Sequence, residues 1–286
     1  MWLGLEPCPA RLQLCCCWLR GFQSIFLAHP EREEIHLRRC VISDIHGCYD
    51  EFNALLEQVH YNPSQDELIL LGDYVDRGPK SKQVIEQIMK LRQEQENKII
   101  VLKGNHDAMM VKALTNDVEE YDTHWIRNGG LQTLASYLDV SYDGDRMDWQ
   151  TYAQDKQWMR SHYMDHLLFL DGLPLSYEIP GYIFVHAGIN PDVAEWRNQS
   201  ERDFIWIREP FYSRPTMLQD IVVFGHTPVQ YLQDEPGIWM DPLGDKIGID
   251  GGCAYGAQLN LLEIDEEGCL QTFFVKKGMQ MPNPEL

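Results

Sequence analysis

The stretch Leu68-Ile69-Leu70-Leu71-Gly72-Asp73-Tyr74-Val75-Asp76-Arg77-Gly78 sets the reading of the chain. Four apolar residues, Leu68 to Leu71, form a run short enough for a strand buried on both faces. Gly72 frees the backbone, and Asp73 emerges at the strand's carboxyl end, where open α/β sheets place their ligands. Asp76 and Arg77 follow at once. Two carboxylates and a guanidinium at the end of a buried strand are costly unless something binds there, a cation for the acids and an oxyanion for the arginine.

The same pattern recurs on either side. Upstream, Cys40 to Ile42 runs into Ser43-Asp44-Ile45-His46-Gly47-Cys48, and Asp50 is placed to cap a helix with Phe52, Leu55, Leu56 and Val59 on one face. Downstream, Gly78-Pro79 leads into a helix with Val84, Ile85, Ile88 and Leu91 inward. Ile99 to Leu102 then ends in Lys103-Gly104-Asn105-His106-Asp107. Three β-then-α units with polar strand ends predict an open α/β sheet with one shared site along an edge. Residues 108–170 read as helical, with Gly129-Gly130 as a break, and form a helical cap over that site. Beyond Leu173-Pro174 the chain turns β-rich. Tyr182 to Val185 ends in His186-Ala187-Gly188, Ile221 to Phe224 ends in Gly225-His226-Thr227, and Ile247 to Asp250 precedes Gly251-Gly252. Leu259 to Ile264 and Leu270 to Val275 close the chain as a hairpin.

Composition narrows the class. The chain has 286 residues and a formal charge of -20, from 24 Lys+Arg against 44 Asp+Glu, which argues against nonspecific nucleic-acid binding. No basic, aromatic-interleaved stripe marks a nuclease. Residues 1–38 read as a leader, poorly ordered or artefactual, ahead of a single catalytic domain over residues 39–286. The apolar run Leu12 to Ala28 is interrupted by Arg20 and Gly21, so no stable membrane association is expected. Six of the eight cysteines crowd the first fifth of the chain without a C-x-x-C pair, so thiols are expected reduced and the location cytoplasmic. Asp143-Gly144-Asp145-Arg146 fails the EF-hand pattern, and with Asp139 and Asp148 reads as a solvated acidic face.

Five strand ends therefore offer cation ligands: Asp44 with His46, Asp73, Asn105 with His106, His186, and His226. The other histidines, His29, His36, His60, His124, His162 and His166, read as structural or exposed. Carboxylate, imidazole and amide ligands together suit Mn²⁺, with Fe²⁺ or Zn²⁺ as alternatives, and there are enough for two ions bridged by Asp73. Two such ions, about 3.5–4 Å apart, lower the pKa of a shared water and neutralise phosphate oxygens. Arg77, and Arg208 within Trp206-Ile207-Arg208-Glu209, are placed to hold those oxygens.

Asp44-Ile45-His46-Gly47, Gly72-Asp73-Tyr74-Val75-Asp76-Arg77-Gly78, Gly104-Asn105-His106-Asp107, His186-Ala187-Gly188 and Gly225-His226-Thr227 resemble the ordered motifs of the phosphoprotein phosphatase family of calcineurin-like metallophosphoesterases. The resemblance spans about Arg39 to Val275. Cys48, Met109-Met110 and Trp206 to Glu209 look like its bacterial and phage branch of Ser/Thr protein phosphatases. It implies a metallophosphoesterase β-sandwich of two mixed sheets flanked by helices, a four-layer α/β/β/α fold, in place of one open sheet. It implies Asp44, His46 and Asp73 on one metal, and Asp73, Asn105, His186 and His226 on the other, with Asn105 also near substrate. His106 becomes the general acid rather than a ligand, Asp76 its partner, and Arg77 and Arg208 phosphate clamps. The activity implied is a Ser/Thr or dual-specificity phosphoprotein phosphatase, in which hydroxide activated by the two metals attacks phosphorus in line. Its partner is a phosphorylated protein or a small phosphoester. The alternatives are a symmetrical diadenosine tetraphosphate hydrolase and a non-catalytic metal-binding module. In the hydrolase branch the position of Asp76 is often alanine, so its retention here favours phosphomonoesters.

Overall fold

The computed structural model describes residues 37–142 and 148–278, so the leader expected at 1–38 and the acids Asp143 and Asp145 lie outside the described residues, except for Leu37 and Arg38. Two five-stranded mixed sheets pack face to face. The first contains β1 (Arg39–Ile42), β2 (Glu67–Leu70), β3 (Ile99–Val101), β9 (Gln258–Ile264) and β10 (Leu270–Lys276), in the order β10-β9-β1-β2-β3. β1, β2 and β3 run parallel, whereas β9 is antiparallel to both β1 and β10. The second contains β4 (Ser176–Ile179), β5 (Tyr182–Val185), β6 (Ile221–Phe224), β7 (Trp239–Met240) and β8 (Lys246–Gly248), in the order β4-β5-β6-β8-β7.

The period of two along each strand explains why two sheets form where the apolar runs suggest one. Cys40 and Ile42 face the helices, as do Leu68 and Leu70, whereas Val41, Ile69 and Leu71 face the other sheet. Phe184 and Val223 meet them from the second sheet, while Ile183, Val185, Val222 and Phe224 point to its outer face. Each strand thus serves two cores, which is why its sequence is apolar throughout. The single open sheet expected from periodicity is corrected, and the two-sheet architecture implied by the motifs is the one observed.

The outer face of the first sheet is covered by α1 (Tyr49–Gln58), α2 (Ser81–Glu94), α3 (Asn105–Thr115), α4 (Glu119–Arg127), α5 (Gly130–Leu138), α6 (Trp149–His162) and α7 (Met164–Asp171). Trp125, Leu134, Tyr137, Tyr152 and Met159 from these helices join the same core as Leu68 and Leu70. The fourth layer is thin: α8 (Glu201–Trp206) contributes Phe204 and Ile205, beside Trp196 and Phe211.

Some local expectations need correcting. Cys48, not Asp50, occupies the N-cap of α1; Asp50 instead accepts from Lys80 Nζ at 2.7 Å. The helical section starts at Asn105, three residues before 108, so its first turn carries site residues. Asp148 is exposed, as a solvated acid should be, and it also caps α6 by accepting from the Gln150 and Thr151 amides. Gly129 is more than a break. It adopts φ +102°, and a Cβ there would lie 2.7 Å from the Arg77 amide nitrogen, so a side chain would displace the Arg77 loop.

Candidate metal centre

The loops leaving β1, β2, β3, β5 and β6 converge, and their backbones tie them together. The amides of Asp44 and His46 donate to the carbonyls of Gly72 and Asp73 at 3.1 and 2.9 Å. The His226 amide donates to Asp44 Oδ2 at 2.9 Å, and the His106 amide to Asp73 Oδ1 at 2.9 Å. Asp44, His46, Asp73, Asp76, Arg77 and His226 all have positive φ, six of the nine non-glycine residues that do so among the described residues. Such strain persists only where surrounding contacts over-determine the backbone.

Side-chain geometry separates two neighbourhoods that share Asp73. Its Oδ2 faces His46 Nε2 at 3.5 Å, and Asp44 Oδ1 lies 3.9 Å from the same nitrogen. Its Oδ1 faces His186 Nε2 at 3.5 Å. Asn105 Oδ1 lies 2.9 Å from both His186 Nε2 and His226 Nδ1. The far ring nitrogens settle the tautomers. His46 Nδ1–H donates to Val75 O at 2.7 Å, His186 Nδ1–H to Leu71 O at 2.9 Å, and the His226 ring to the Trp206 backbone. Each imidazole therefore turns a lone pair inward, where carboxylate and amide oxygens also point. Converging lone pairs, with the opposite N–H groups anchored on carbonyls, are what cation ligands need.

Electrostatics gives the same answer. Burial pushes Asp73 well above the ordinary carboxylate range, and the charges of Asp44 and Asp107 push it further. Burial, then the charges of His106 and Arg77, hold His46 well below the usual imidazole range. Burial first, with His186 and Arg208 beside it, holds His226 down. Acids that repel one another beside imidazoles that resist protonation leave the centre short of positive charge, which divalent cations supply. The donor set fits a two-ion centre: Asp44, His46 and Asp73 on one side, and Asp73, Asn105, His186 and His226 on the other.

His106 is arranged differently. Its Nδ1 bonds Asp76 Oδ2 at 2.7 Å, and its Nε2 faces the cluster 4.0 Å from Asp73 Oδ2. Asp76 is fully buried and held by two further donors on Oδ1, Trp125 Nε1 at 2.9 Å and Thr133 Oγ1 at 2.8 Å. Burial lifts its carboxyl to about 8 against those bonds, while burial also holds His106 well down.

Of the two arginines, Arg77 is half-buried and its Nη1 lies 2.6 Å from His46 Nε2, with its guanidinium 4.8 Å from the Tyr255 ring. Arg208 is exposed and donates to the His226 carbonyl at 3.3 Å. The sequence reading left three contributors without roles. Asp107, at the third position of α3, accepts from the amides of Gly104, Asp73 and Tyr74 at 2.9, 2.8 and 3.0 Å and so fixes the Asp73 turn. Its place in a helix first turn could have signalled this. Trp125 and Thr133, 49 and 57 residues from Asp76, carry no local signal. Beside the centre, a cleft of about 1340 Å³ runs from Asn105 along α3, α4 and α7, lined by His124, Arg127, Leu168 and Trp206.

Known proteins are similar to this chain. An asymmetrical bis(5'-nucleosyl)-tetraphosphatase from Anoxybacillus flavithermus is 29% identical over 79% of this chain and 90% of its own length. Serine/threonine-protein phosphatase 1 of Salmonella typhimurium is 25% identical over 78% of this chain and 90% of its own. A crystal structure provisionally assigned as a diadenosine tetraphosphatase matches at a TM-score of 0.59 with 22% identity, over 85% of this chain and 95% of that one, and shows the shared fold. The family model for calcineurin-like phosphoesterases matches residues 37–267, all five converging loops included. The chain belongs to the calcineurin-like phosphoesterase family, as a metal-dependent hydrolase of phosphoric esters.

Proposed function

We propose that this phosphoesterase is a phosphoprotein phosphatase of the Ser/Thr branch that cleaves phosphomonoesters in phosphorylated proteins. One observation carries the reading: the built acid formed by His106 and Asp76, with Trp125 and Thr133 behind it. An alkoxide is a poor leaving group and needs a proton as the P–O bond breaks, whereas a nucleotide leaves as a phosphate without one. A site that keeps four groups aligned for proton donation is matched to the harder ester.

Bound cations, Mn²⁺ in this reading, would supply Lewis-acid charge and a water of lowered pKa. Arg77 and Arg208 grip the non-bridging phosphoryl oxygens and orient the ester. His106 Nε2 delivers its proton to the leaving oxygen, and Asp76 holds Nδ1 so that the ring is charged and correctly turned when it does so.

A second reading, hydrolysis of dinucleoside polyphosphates, is favoured by the name of the Anoxybacillus relative and by the cleft beside Asn105, which has room for a nucleoside. A substrate panel with Mn²⁺ separates the two. Phosphoserine peptide is expected to turn over with the higher kcat/KM, and a strong chelator to abolish activity on every substrate. Faster cleavage of diadenosine tetraphosphate would install the second reading, and full activity under chelation would remove both.

A further inference from the structure

Outside the metal centre, the described residues contain a second tight cluster: the sulfurs of Cys48 and Cys253 and a Glu51 carboxylate oxygen lie within 4.8 Å of one another. The two thiols come from chain segments 205 residues apart, each is 1% exposed, and the Cys48 thiol faces the His46 carbonyl at 3.7 Å. The cluster does not suit a cation. Lys277 Nζ bonds Glu51 at 3.0 Å and the Gly278 amide takes its other oxygen at 3.1 Å, so the carboxylate is already neutralised by an ammonium that would repel a metal. Two sulfurs within 4.8 Å of each other are what remains, close enough for a small local movement to join them as a disulfide.

Their positions give such a bond consequences. Cys48 is the N-cap of α1, two residues after His46. Cys253 opens the short turn Cys253–Tyr255, whose last residue lies against Arg77. We propose that Cys48 and Cys253 are a reversible redox pair, whose disulfide draws the Tyr255 turn toward the start of α1 and so lowers turnover through Arg77. The oxidant is a small peroxide. One thiol sulfur attacks a peroxide oxygen, the O–O bond breaks, and a sulfenic acid and one water form. The second thiol sulfur then displaces the hydroxyl as another water, so two thiols and H₂O₂ become one disulfide and two waters. A small dithiol reductant reverses it. Contraction to an S–S bond of about 2.05 Å moves the turn by an ångström or more, and misplacement on the order of 1 Å lowers turnover by up to about 10²-fold.

The effect on turnover rests on the hydrolytic reading above, but formation of the bond does not. The full-length protein is treated with hydrogen peroxide, denatured, alkylated and digested for mass spectrometry. Turnover of p-nitrophenyl phosphate is followed in parallel, before and after dithiothreitol. The expected result is a peptide linking Cys48 to Cys253, with kcat reduced at least threefold and restored by the reductant. Cys253→Ser should show neither change, with its circular dichroism melting curve confirming that it folds. Separately alkylated Cys48 and Cys253 in the peroxide-treated wild type would overturn the pair. A linked peptide with unchanged kcat would overturn the coupling to the site.

Discussion

The two sheets feed the same centre in different ways. The ends of the first sheet's strands supply Asp44, Asp73 and Asp76, together with Arg77, and all four sit at positive φ. The ends of the second sheet's strands supply the neutral imidazoles His186 and His226, of which only His226 shares that backbone state. Strained acids are concentrated on one side, while the other contributes imidazole lone pairs from one relaxed strand end, at His186, and one strained end, at His226. The difference teaches which side dictates the centre. Carboxylates repel one another and must be held by surrounding bonds, such as those Asp107 makes to the Asp73 turn, whereas an imidazole needs only one carbonyl to fix its tautomer.

If that is right, the largest loss comes from Asp73, which faces both halves. Asp73→Asn should lower kcat/KM by at least about 10³-fold, since a neutral amide cannot hold two cations together. Metal analysis should find fewer than two ions per chain, and near wild-type hydrolysis would break the two-ion assignment. His106→Ala comes next, expected to lower kcat on p-nitrophenyl phosphate and phosphoserine by about 10²–10⁴-fold. Its metal content should stay at wild type, and loss of both ions would show that His106 is a ligand. The arginines extend the comparison to the substrate. Arg77→Ala on the first-sheet side should raise KM by about 10-fold or more, and exposed Arg208→Ala by less, because a half-buried guanidinium is screened less by water. Equal effects in steady-state kinetics would erase the asymmetry.

The candidate ligands were legible because each follows a run of three or four apolar residues and lies within four residues of a glycine. Asp44, His46, Asp73, Asn105, His186 and His226 are all brought together. The two-sheet architecture was hidden from periodicity because β1, β2 and β5 are covered on both faces, and such strands look alike whether helices or a second sheet cover them. It became visible only through the resemblance of the motifs to a known family. The support of Asp76 was illegible for another reason. Trp125 and Thr133 reach it from α4 and α5, and a tryptophan on a helix face reads as core until its indole N–H is seen bonded to a carboxylate.

The smallest expected effect tests the first sheet's acid most finely. Asp76→Asn keeps a hydrogen-bonding group beside His106 Nδ1 and leaves the Trp125 and Thr133 donors facing an amide oxygen, so the ring should hold its place. What changes is charge. The Asp76 carboxyl at 2.7 Å favours the imidazolium, and burial together with the charges of Arg77, His186 and His124, which hold His106 low, is left unopposed without it. The folded-state pKa of the imidazole should therefore fall, and the protonated acid should be lost at lower pH. In a profile of kcat against pH, the alkaline limb should move to lower pH in Asp76→Asn, with kcat close to wild type on the acid side. The loss should grow with the basicity of the leaving alcohol, since a good leaving group needs no proton. An unshifted limb with a uniform loss would mean that Asp76 only positions the ring, and a loss independent of leaving group would remove His106 from the proton transfer.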